Sequence, residues 1–533
     1  MRVVSGFVAG ALLLASVVAH AAVPSPVANA AMKRDRSAVA ALIAQKADVN
    51  APQVDGATAL HWAVYYDDVE MVDRLIRAGA RVALANRHGA TPLTLACING
   101  NARGIERLLK AGAEPNERGP NGETPLMMAA RTGAVDAMRV LINAGADVNA
   151  TEKLRGTTAL MWAAAQTHPT AVKLLVEHGA NVGMRSSPAA LGRTAYLAPT
   201  ARQRASQLVN ENAVFVRGQN TEGGGLTALV FAAREGDLES AQILVAAGAD
   251  LNQATQYGWT ALLTATQNRH YTLGTFLLDR GADPNIANKG GWTPLYLATD
   301  NRNIEGGDYP VRPGDLDHLD FIKTLLAHGA NVNARAKDST ETRTIFTMQW
   351  LYEEGATPFL RAAQSGDVEL MKLLLAHGAD PTIPTTNNVT ALEVAAGIGW
   401  VQGVTYERSE RDSLEAVKMC LDLGIDPNVV DGDGRTALHG AAHKGRNEVV
   451  QLLVDRGARV DTRDLGSRDT IAGEQLGRGW LPVDYADGLV RVGVQSAIAH
   501  PATAALLRKL MSDRRIDVPP PITSSVCITD ACK

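Results

Sequence analysis

The chain has 533 residues, of which 46% are hydrophobic, 20% are charged and only 5% are aromatic, and its formal charge is −4. This length exceeds what one hydrophobic core usually supports, and the shortage of aromatic side chains argues against a single large core. The small net charge excludes a strong overall field that would attract nucleic acid or anionic lipid.

The N-terminal segment has the pattern of a cleavable secretory signal. Arg2 precedes an almost wholly apolar run from Val3 to Val18, which is short for a membrane-spanning anchor helix. Ala19-His20-Ala21 fits the small-residue rule of signal peptidase. We therefore expect cleavage after Ala21, a mature chain in the periplasm or outside the cell, and no stable membrane insertion.

A seven-residue phrase of the type TALHWAV or TPLMMAA recurs along the chain. Five of the spacings between consecutive copies are 33 residues. A weaker copy, LPVDYAD, begins at Leu481. The ten clear copies begin at Thr58, Thr91, Thr124, Thr158, Thr227, Thr260, Thr293, Thr357, Thr390 and Thr436.

Each part of the repeat has a structural reason. Threonine caps the free amides at the start of a helix, and proline suits the position that follows. The alanine pair lets neighbouring helices approach closely, while a later aliphatic pair forms the buried stripe of a second helix. A glycine such as Gly248 then ends that helix, and the Asp or Asn two residues later makes a turn. A glycine two residues before the threonine, such as Gly258, permits a tight hairpin tip.

This pattern resembles the ankyrin repeat, a β-turn finger followed by two antiparallel helices every 33 residues. The resemblance implies an all-α repeat solenoid of about twelve units including caps, because one unit cannot bury its own apolar face. We expect a signal peptide at 1–21, the solenoid at 22–511 and a disordered tail at 512–533. Excess lengths place insertions near 182–226, 300–315, 334–352, 397–412 and 462–476.

Insertions in repeat proteins often border a binding face, although long surface loops can also be neutral. The 182–226 insertion is rich in arginine, and it either meets an acidic partner or forms a solvated loop. The 334–352 insertion concentrates apolar residues, which either dock on the repeats or form a contact patch. Its candidate contact residues are Phe346, Trp350 and Tyr352.

The family resemblance places partner contacts at the finger tips and on the first helix of each repeat. Trp259 and Trp292 occupy the same place in consecutive fingers. They are either interface anchors or packing between fingers that stiffens the array. The remaining candidates at these positions are Tyr65, Tyr66, Arg234, Tyr257, Gln267 and Asn268.

No catalytic, cofactor or metal motif stands out. His439 and His443 have a zinc-like spacing, but no glutamate follows the first histidine as in the metalloprotease motif. Cys97 and Cys420 fall at buried apolar positions of the repeat. In an oxidising compartment Cys527 and Cys532 are candidates for a disulfide, and their pairing stays open.

The sequence thus favours a non-enzymatic scaffold, without a cofactor, that holds another protein on its concave finger and first-helix face. We expect it to be monomeric and to bind no nucleic acid. The alternative is a receptor for a small ligand or glycan, built on the loop insertions. An enzyme built on those insertions is disfavoured, because no non-repeat domain is left to house a catalytic site.

Overall fold

The computed structural model describes residues 25–187, 224–303, 313–337, 351, 353–401, 406–466, 479–490 and 498–520. These residues form 24 α-helices and no β-strand. The chain divides into two compact units, Met1–Asp147 and Val148–Lys533. The signal segment, the Cys527 and Cys532 pair and the contact candidates Phe346, Trp350 and Tyr352 lie outside the described residues.

The described residues of unit 1 form four helix pairs. In each pair a first helix of seven residues precedes a second helix of nine residues. Consecutive first helices pack directly on one another. The helices are α1 Pro26–Met32, α2 Arg36–Ala44, α3 Ala59–Tyr65, α4 Val69–Arg77, α5 Pro92–Ile98, α6 Ala102–Lys110, α7 Pro125–Arg131 and α8 Val135–Asn143.

Unit 2 contains eight helix pairs among its described residues, again with each first helix packed on the next. The helices are α9 Ala159–Ala165, α10 Pro169–Glu177, α11 Ala228–Glu235, α12 Leu238–Ala246, α13 Ala261–Gln267, α14 Tyr271–Asp279, α15 Pro294–Arg302, α16 His318–Ala327, α17 Pro358–Gln364, α18 Val368–Ala376, α19 Ala391–Ala396, α20 Glu410–Asp422, α21 Ala437–Lys444, α22 Asn447–Asp455, α23 Pro482–Ala486 and α24 Pro501–Asp513.

Local capping chemistry begins and ends the helices as the sequence predicts. The Thr260 hydroxyl accepts a hydrogen bond from the amide of Leu263, which satisfies one free donor at the start of α13. Gly248, beyond the end of α12, has a φ of 85°, in the left-handed region that glycine adopts without strain. Replacing such a threonine cap costs about 1 kcal/mol of stability.

The core is a series of thin apolar layers. Ala232 and Ala233 of α11 and Leu244 of α12 are fully buried, as the alanine pair and the aliphatic pair predict. Cys97 and Cys420 are fully buried and unpaired, which confirms that they act as small apolar side chains.

Asparagines after the second helices link each repeat to the next, a role beyond the turn that the sequence predicts. The Asn149 side chain donates to the carbonyl of Gly179 at 3.1 Å and accepts from the amide of Asn181 at 2.8 Å. The helix-ending carbonyl and the following amide of the next repeat are thereby satisfied. The same double bridge is made by Asn50, Asn116, Asn285, Asn333 and Asn428.

Neighbouring fingers are joined by single backbone hydrogen bonds. The amide of Lys289 donates to the carbonyl of Tyr257 at 2.9 Å. Gly258 at the finger tip has a φ of 80°, and a Cβ there would lie 2.8 Å from the Cα of Asn288. Both the turn and the close approach of the next finger therefore require glycine at this position.

Of the expected disordered tail at 512–533, the structure describes residues 512–520, and residues 521–533 lie outside the described part. Helix α24 continues to Asp513, and Arg508 pairs with Asp487 and donates to the carbonyl of Pro519 at 3.1 Å. These bonds hold the chain against α24 up to that proline. No helix among the described residues combines the length and the apolar character needed to cross a membrane.

Candidate functional site

The surface where the sequence places partner contacts can be followed along the first helices. We define the first-helix face as the side chains four, seven and eight residues after the first residue of each phrase. On this face Tyr65 is 54% exposed in unit 1, and Arg234 is exposed in unit 2. Gln267 and Asn268 are half-buried.

Further along unit 2 the first-helix face is buried, which the sequence did not predict. Seven of its twelve residues there are polar or charged, so their burial is not a consequence of hydrophobicity. We call these twelve buried positions the covered section. They are Leu297, Asp300, Asn301, Arg361, Gln364, Ser365, Val394, Gly397, Ile398, Gly440, His443 and Lys444.

An aromatic cluster forms the first-helix face of one repeat in unit 1. The ring of Trp62 lies 5.8 Å from that of Tyr65 and 5.9 Å from that of Tyr66. The indole N–H of Trp62 donates to Gln53, and the Tyr66 hydroxyl donates to the carbonyl of Met32. Both predicted tyrosines therefore lie in one preformed cluster, to which the structure adds Trp62.

In unit 2 Arg234 is held beside its own helix. Its guanidinium lies 5.0 Å from the ring centroid of Phe231 and 2.7 Å from the carboxylate of Glu235. The carboxamide N–H of Asn268 donates to the carbonyl of Thr264 at 2.8 Å. Arg234 thus presents an exposed cation, whereas one N–H of the Asn268 side chain is already hydrogen-bonded to its own helix.

The two tryptophans predicted at equivalent finger positions, Trp259 and Trp292, differ in their exposure. Tyr257 and Trp259 are half-buried, and the Lys289 ammonium lies 5.1 Å from the Tyr257 ring centroid. Trp292 is fully buried, with its ring edge-on to Tyr296 at a centroid distance of 4.7 Å. Trp292 is therefore not a surface anchor. Its burial agrees with the alternative hypothesis, in which this tryptophan packs inside the array.

Buried charges in the covered section are paired with one another. Arg361 stands four residues after Thr357, where other copies of the phrase carry mostly apolar residues. Its Nε lies 2.7 Å from the carboxylate of Asp300, and its other nitrogens donate to the carbonyl of Asn303 and the hydroxyl of Ser365. This set of partners satisfies a guanidinium that is removed from water.

A segment following α19 lies against the covered section. We call residues 399–401 and 406–409 the clasp. Arg408 pairs with Asp367 at 3.0 Å on one side, and Glu407 pairs with Lys444 at 2.8 Å on the other. The Lys444 ammonium also lies 5.7 Å from the ring centroid of Trp400. The clasp therefore contacts both the repeat before it and the repeat after it.

Electrostatics favour the ionised form of Glu407 in the clasp. Burial alone would raise the pKa of its carboxyl, but Lys444, Ser413 and Arg446 outweigh burial and bring the pKa below its ordinary value. Burial lowers the pKa of Lys444, and Glu407 opposes that change. The apolar 334–352 insertion also reaches this region, since Leu351 is buried against Gly399, where a Cβ would lie 2.7 Å from the Leu351 Cβ.

The two histidines with zinc-like spacing are both buried. His439 Nδ1 accepts from the amide of Thr436 at 3.0 Å, and its Nε2 lies 3.2 Å from the carbonyl of Trp480. Burial lowers the pKa of both His439 and His443 to about 4. Among the residues that the structure describes, no group of His, Cys, Asp or Glu could hold a metal ion.

Sequence profiles of ankyrin repeats cover most of the described helices. The profile of three ankyrin copies alone matches more than half of the chain. The chain belongs to the ankyrin-repeat family. Ankyrin repeats generally serve as scaffolds for protein interactions. The matched residues are 27–119, 99–186, 201–288, 229–336, 354–386 and 407–454.

Curated relatives share the ankyrin repeats over parts of their length. Serine/threonine-protein kinase 12 of Arabidopsis thaliana is 51% identical over 59 residues, which are 11% of this chain and 13% of that protein. Ankyrin repeat and KH domain-containing protein mask-1 of Caenorhabditis elegans is 30% identical over 192 residues, 33% of this chain and 7% of that protein. Ankyrin repeat and SOCS box protein 16 of Mus musculus is 33% identical over 159 residues, 26% of this chain and 34% of that protein. This chain therefore spans a minor part of the length of each.

Proposed function

We propose that this ankyrin-repeat chain is a non-enzymatic scaffold that holds a protein partner on the exposed parts of its first-helix face. One observation carries the proposal: this face is open at Tyr65 in unit 1 and at Arg234 in unit 2, but closed from Asp300 to Lys444. Large aromatic and arginine side chains at open contact positions are the residue types that anchor protein interfaces.

The covered section is a poor partner surface for a physical reason. Arg361 and Lys444 in this section, and Asp367 next to it, already have oppositely charged partners within 3.0 Å. A partner that entered there would have to break these pairs and leave buried charges uncompensated, at a cost of several kcal/mol. Partner contacts therefore concentrate on the open positions.

We further propose that the scaffold works in the periplasm or outside the cell. The support is the signal-like pattern of residues 1–21, which ends in Ala19-His20-Ala21. N-terminal sequencing of the mature protein tests it, with Ala22 expected as the first residue. A mature chain that still begins at Met1 would contradict it.

The experiment for the scaffold is affinity capture from an extract of the source cells. The bait is the mature chain, compared with a Tyr65→Ala/Arg234→Ala variant and with a Leu423→Ala control, since Leu423 is exposed at the end of a second helix. We expect a protein that the mature chain and the control retain and the double variant loses. Equal retention by all three baits would show that the open first-helix face is not the contact surface.

The same experiment distinguishes the scaffold from the alternative, a receptor for a small ligand or glycan. It relies on the 182–226 and 334–352 insertions, most of which lie outside the described residues. If no bait retains a protein, and a small ligand or glycan raises the melting temperature of the mature chain saturably, the receptor hypothesis replaces the scaffold hypothesis. Retention of a protein through Tyr65 or Arg234 would exclude that outcome.

A further inference from the structure

An apolar stripe runs along the open face of unit 1. Met32, Tyr65 and Ile98 are the last residues of α1, α3 and α5, and they are 37%, 54% and 44% exposed. The three side chains occupy the same register in consecutive first helices. We call these three residues the apolar stripe.

Hydrogen bonds hold the members of the apolar stripe in neighbouring positions. The Tyr66 hydroxyl donates to the carbonyl of Met32 at 3.1 Å, and the Asn99 side chain donates to the carbonyl of Tyr65 at 3.1 Å. Packed helices lie about 8–10 Å apart, so the side chains of the stripe repeat at about that pitch.

The spacing of the stripe can be compared with the side-chain spacing of a bound segment in each regular conformation. A polyproline II segment has three residues per turn and rises about 3.1 Å per residue, so every third side chain faces the same way about 9 Å further on. A β-strand turns every third side chain to its opposite face. An α-helix matches the pitch with every seventh residue, which requires about fifteen residues to reach three anchors, against about seven in polyproline II.

The chemistry around the stripe also suits polyproline II. The polar groups of Trp62 and Tyr66 already donate to Gln53 and to Met32, so these aromatic side chains present ring surface. Aromatic-lined surfaces are the ones that take polyproline II segments, whose solvated backbone needs no ladder of hydrogen bonds.

Basic residues stand beyond both ends of the apolar stripe. Lys33 and Arg34 are exposed directly after Met32, and the Arg34 guanidinium lies 4.0 Å from the Tyr66 ring centroid. At the other end, exposed Arg131 takes the register position that follows Ile98. Asp35, exposed directly after Arg34, and Asp67, exposed after Tyr66, are acidic residues near this surface. The exposed cations Lys33, Arg34 and Arg131 outnumber these two carboxylates, and this excess of positive charge favours a partner with acidic flanks.

We infer that the apolar stripe binds a polyproline II segment of a partner protein that carries proline or another apolar residue at every third position and acidic residues at both ends. This inference rests on the proposed scaffold function and names the class of partner. It assigns the anchoring contacts to Tyr65 and Ile98, and the flanking contacts to Lys33 and Arg131.

A designed peptide tests this inference on the full mature chain. The probe is a fluorescent peptide of about twelve residues with proline or leucine at every third position and acidic ends, followed by fluorescence anisotropy. Two matched peptides carry either the same residues with the apolar ones at every second position or basic ends in place of acidic ends. A third peptide is a helical sequence of about fifteen residues in which every seventh residue is apolar. We expect the first peptide to bind most tightly.

Variants of the chain locate the binding. Tyr65→Ala and Ile98→Ala should each weaken binding of the first peptide about tenfold or more, while Leu423→Ala leaves it unchanged. Arg131→Glu should weaken binding, and added salt should reduce the difference between Arg131→Glu and the parent chain. Because these side chains are exposed, the variants should keep the parent circular dichroism spectrum, which separates lost binding from lost folding.

Three results would overturn the inference: binding that ignores the spacing of the apolar residues, preference for the helical peptide, or full binding by Tyr65→Ala. None of these would by itself overturn the scaffold. A captured protein that depends on Arg234 but not on Tyr65 would keep the scaffold and reject the apolar stripe. Capture that ignores the whole first-helix face would reject both.

Discussion

At the residue scale, the covered section contains buried charges that are paired with opposite charges. Arg361 is the clearest case, because its Nε faces Asp300 while its other nitrogens meet Asn303 and Ser365. The sequence did contain a signal, namely a charged residue at a phrase position that is otherwise mostly apolar. The signal was not interpretable, because the partner Asp300 lies 61 residues away along the chain.

Removing one partner of this pair tests the role of burial. Asp300→Ala leaves the guanidinium of Arg361 buried without its counter-charge, and we expect a loss of about 3–5 kcal/mol in the free energy of unfolding. The measurement is urea unfolding followed by circular dichroism. The control Glu235→Ala removes the partner of exposed Arg234 and should cost at most about 1 kcal/mol. Equal losses in the two variants would contradict this account of the buried pair.

Buried His443 predicts a contribution to acid sensitivity. Burial lowers its pKa to about 4, so between its ordinary pKa and about 4 the unfolded chain binds a proton that the folded chain does not. Stability from this residue is therefore lost as the pH falls through that window. His443→Gln should lose less stability than the parent between neutral pH and about pH 4. Burial raises the pKa of Glu393 to about 8, so this residue adds stability as the pH falls. Its contribution is the same in the parent and in His443→Gln, so it cancels in the comparison. Identical pH profiles would contradict the prediction.

At the scale of elements, the helices follow from local chemistry, and the clasp does not. Threonine caps, helix-ending glycines and alanine pairs act within one repeat, which is why the periodic phrase predicts the helices well. The clasp depends on contacts between distant residues, such as Arg408 with Asp367, 41 residues apart. Only the excess length near 397–412 indicated that something is inserted there.

A single neutralising change tests the clasp. Glu407→Gln weakens the pairs with Lys444 and Arg446, so we expect faster hydrogen exchange of the amides in 437–446. Glu410→Gln is a matched control, because Glu410 also pairs with Arg446 but is largely exposed. Equal exchange in Glu407→Gln and the parent chain would show that the clasp does not stabilise this part of the face.

At the scale of the whole molecule, sequence periodicity predicts the repeat architecture, but not which parts of the first-helix face stay open. Tyr65 and Arg234 are exposed as a contact residue must be, whereas Trp292 is buried although it shares a finger position with Trp259. The difference arises because exposure depends on what packs above a position, and identical positions in consecutive repeats have different surroundings. Asp300 and Tyr65 show the same contrast on the first helices.

The most direct test of the open face is a hydrogen-exchange footprint of the mature chain with and without its captured protein partner. We predict slower exchange on binding in the first helices of the open repeats, around 62–66, 95–99 or 231–235. We predict no change around 297–301, 361–365 and 440–444, where the face is covered. Slower exchange confined to the covered section or to the second helices would contradict the claim that partners bind the open first-helix face.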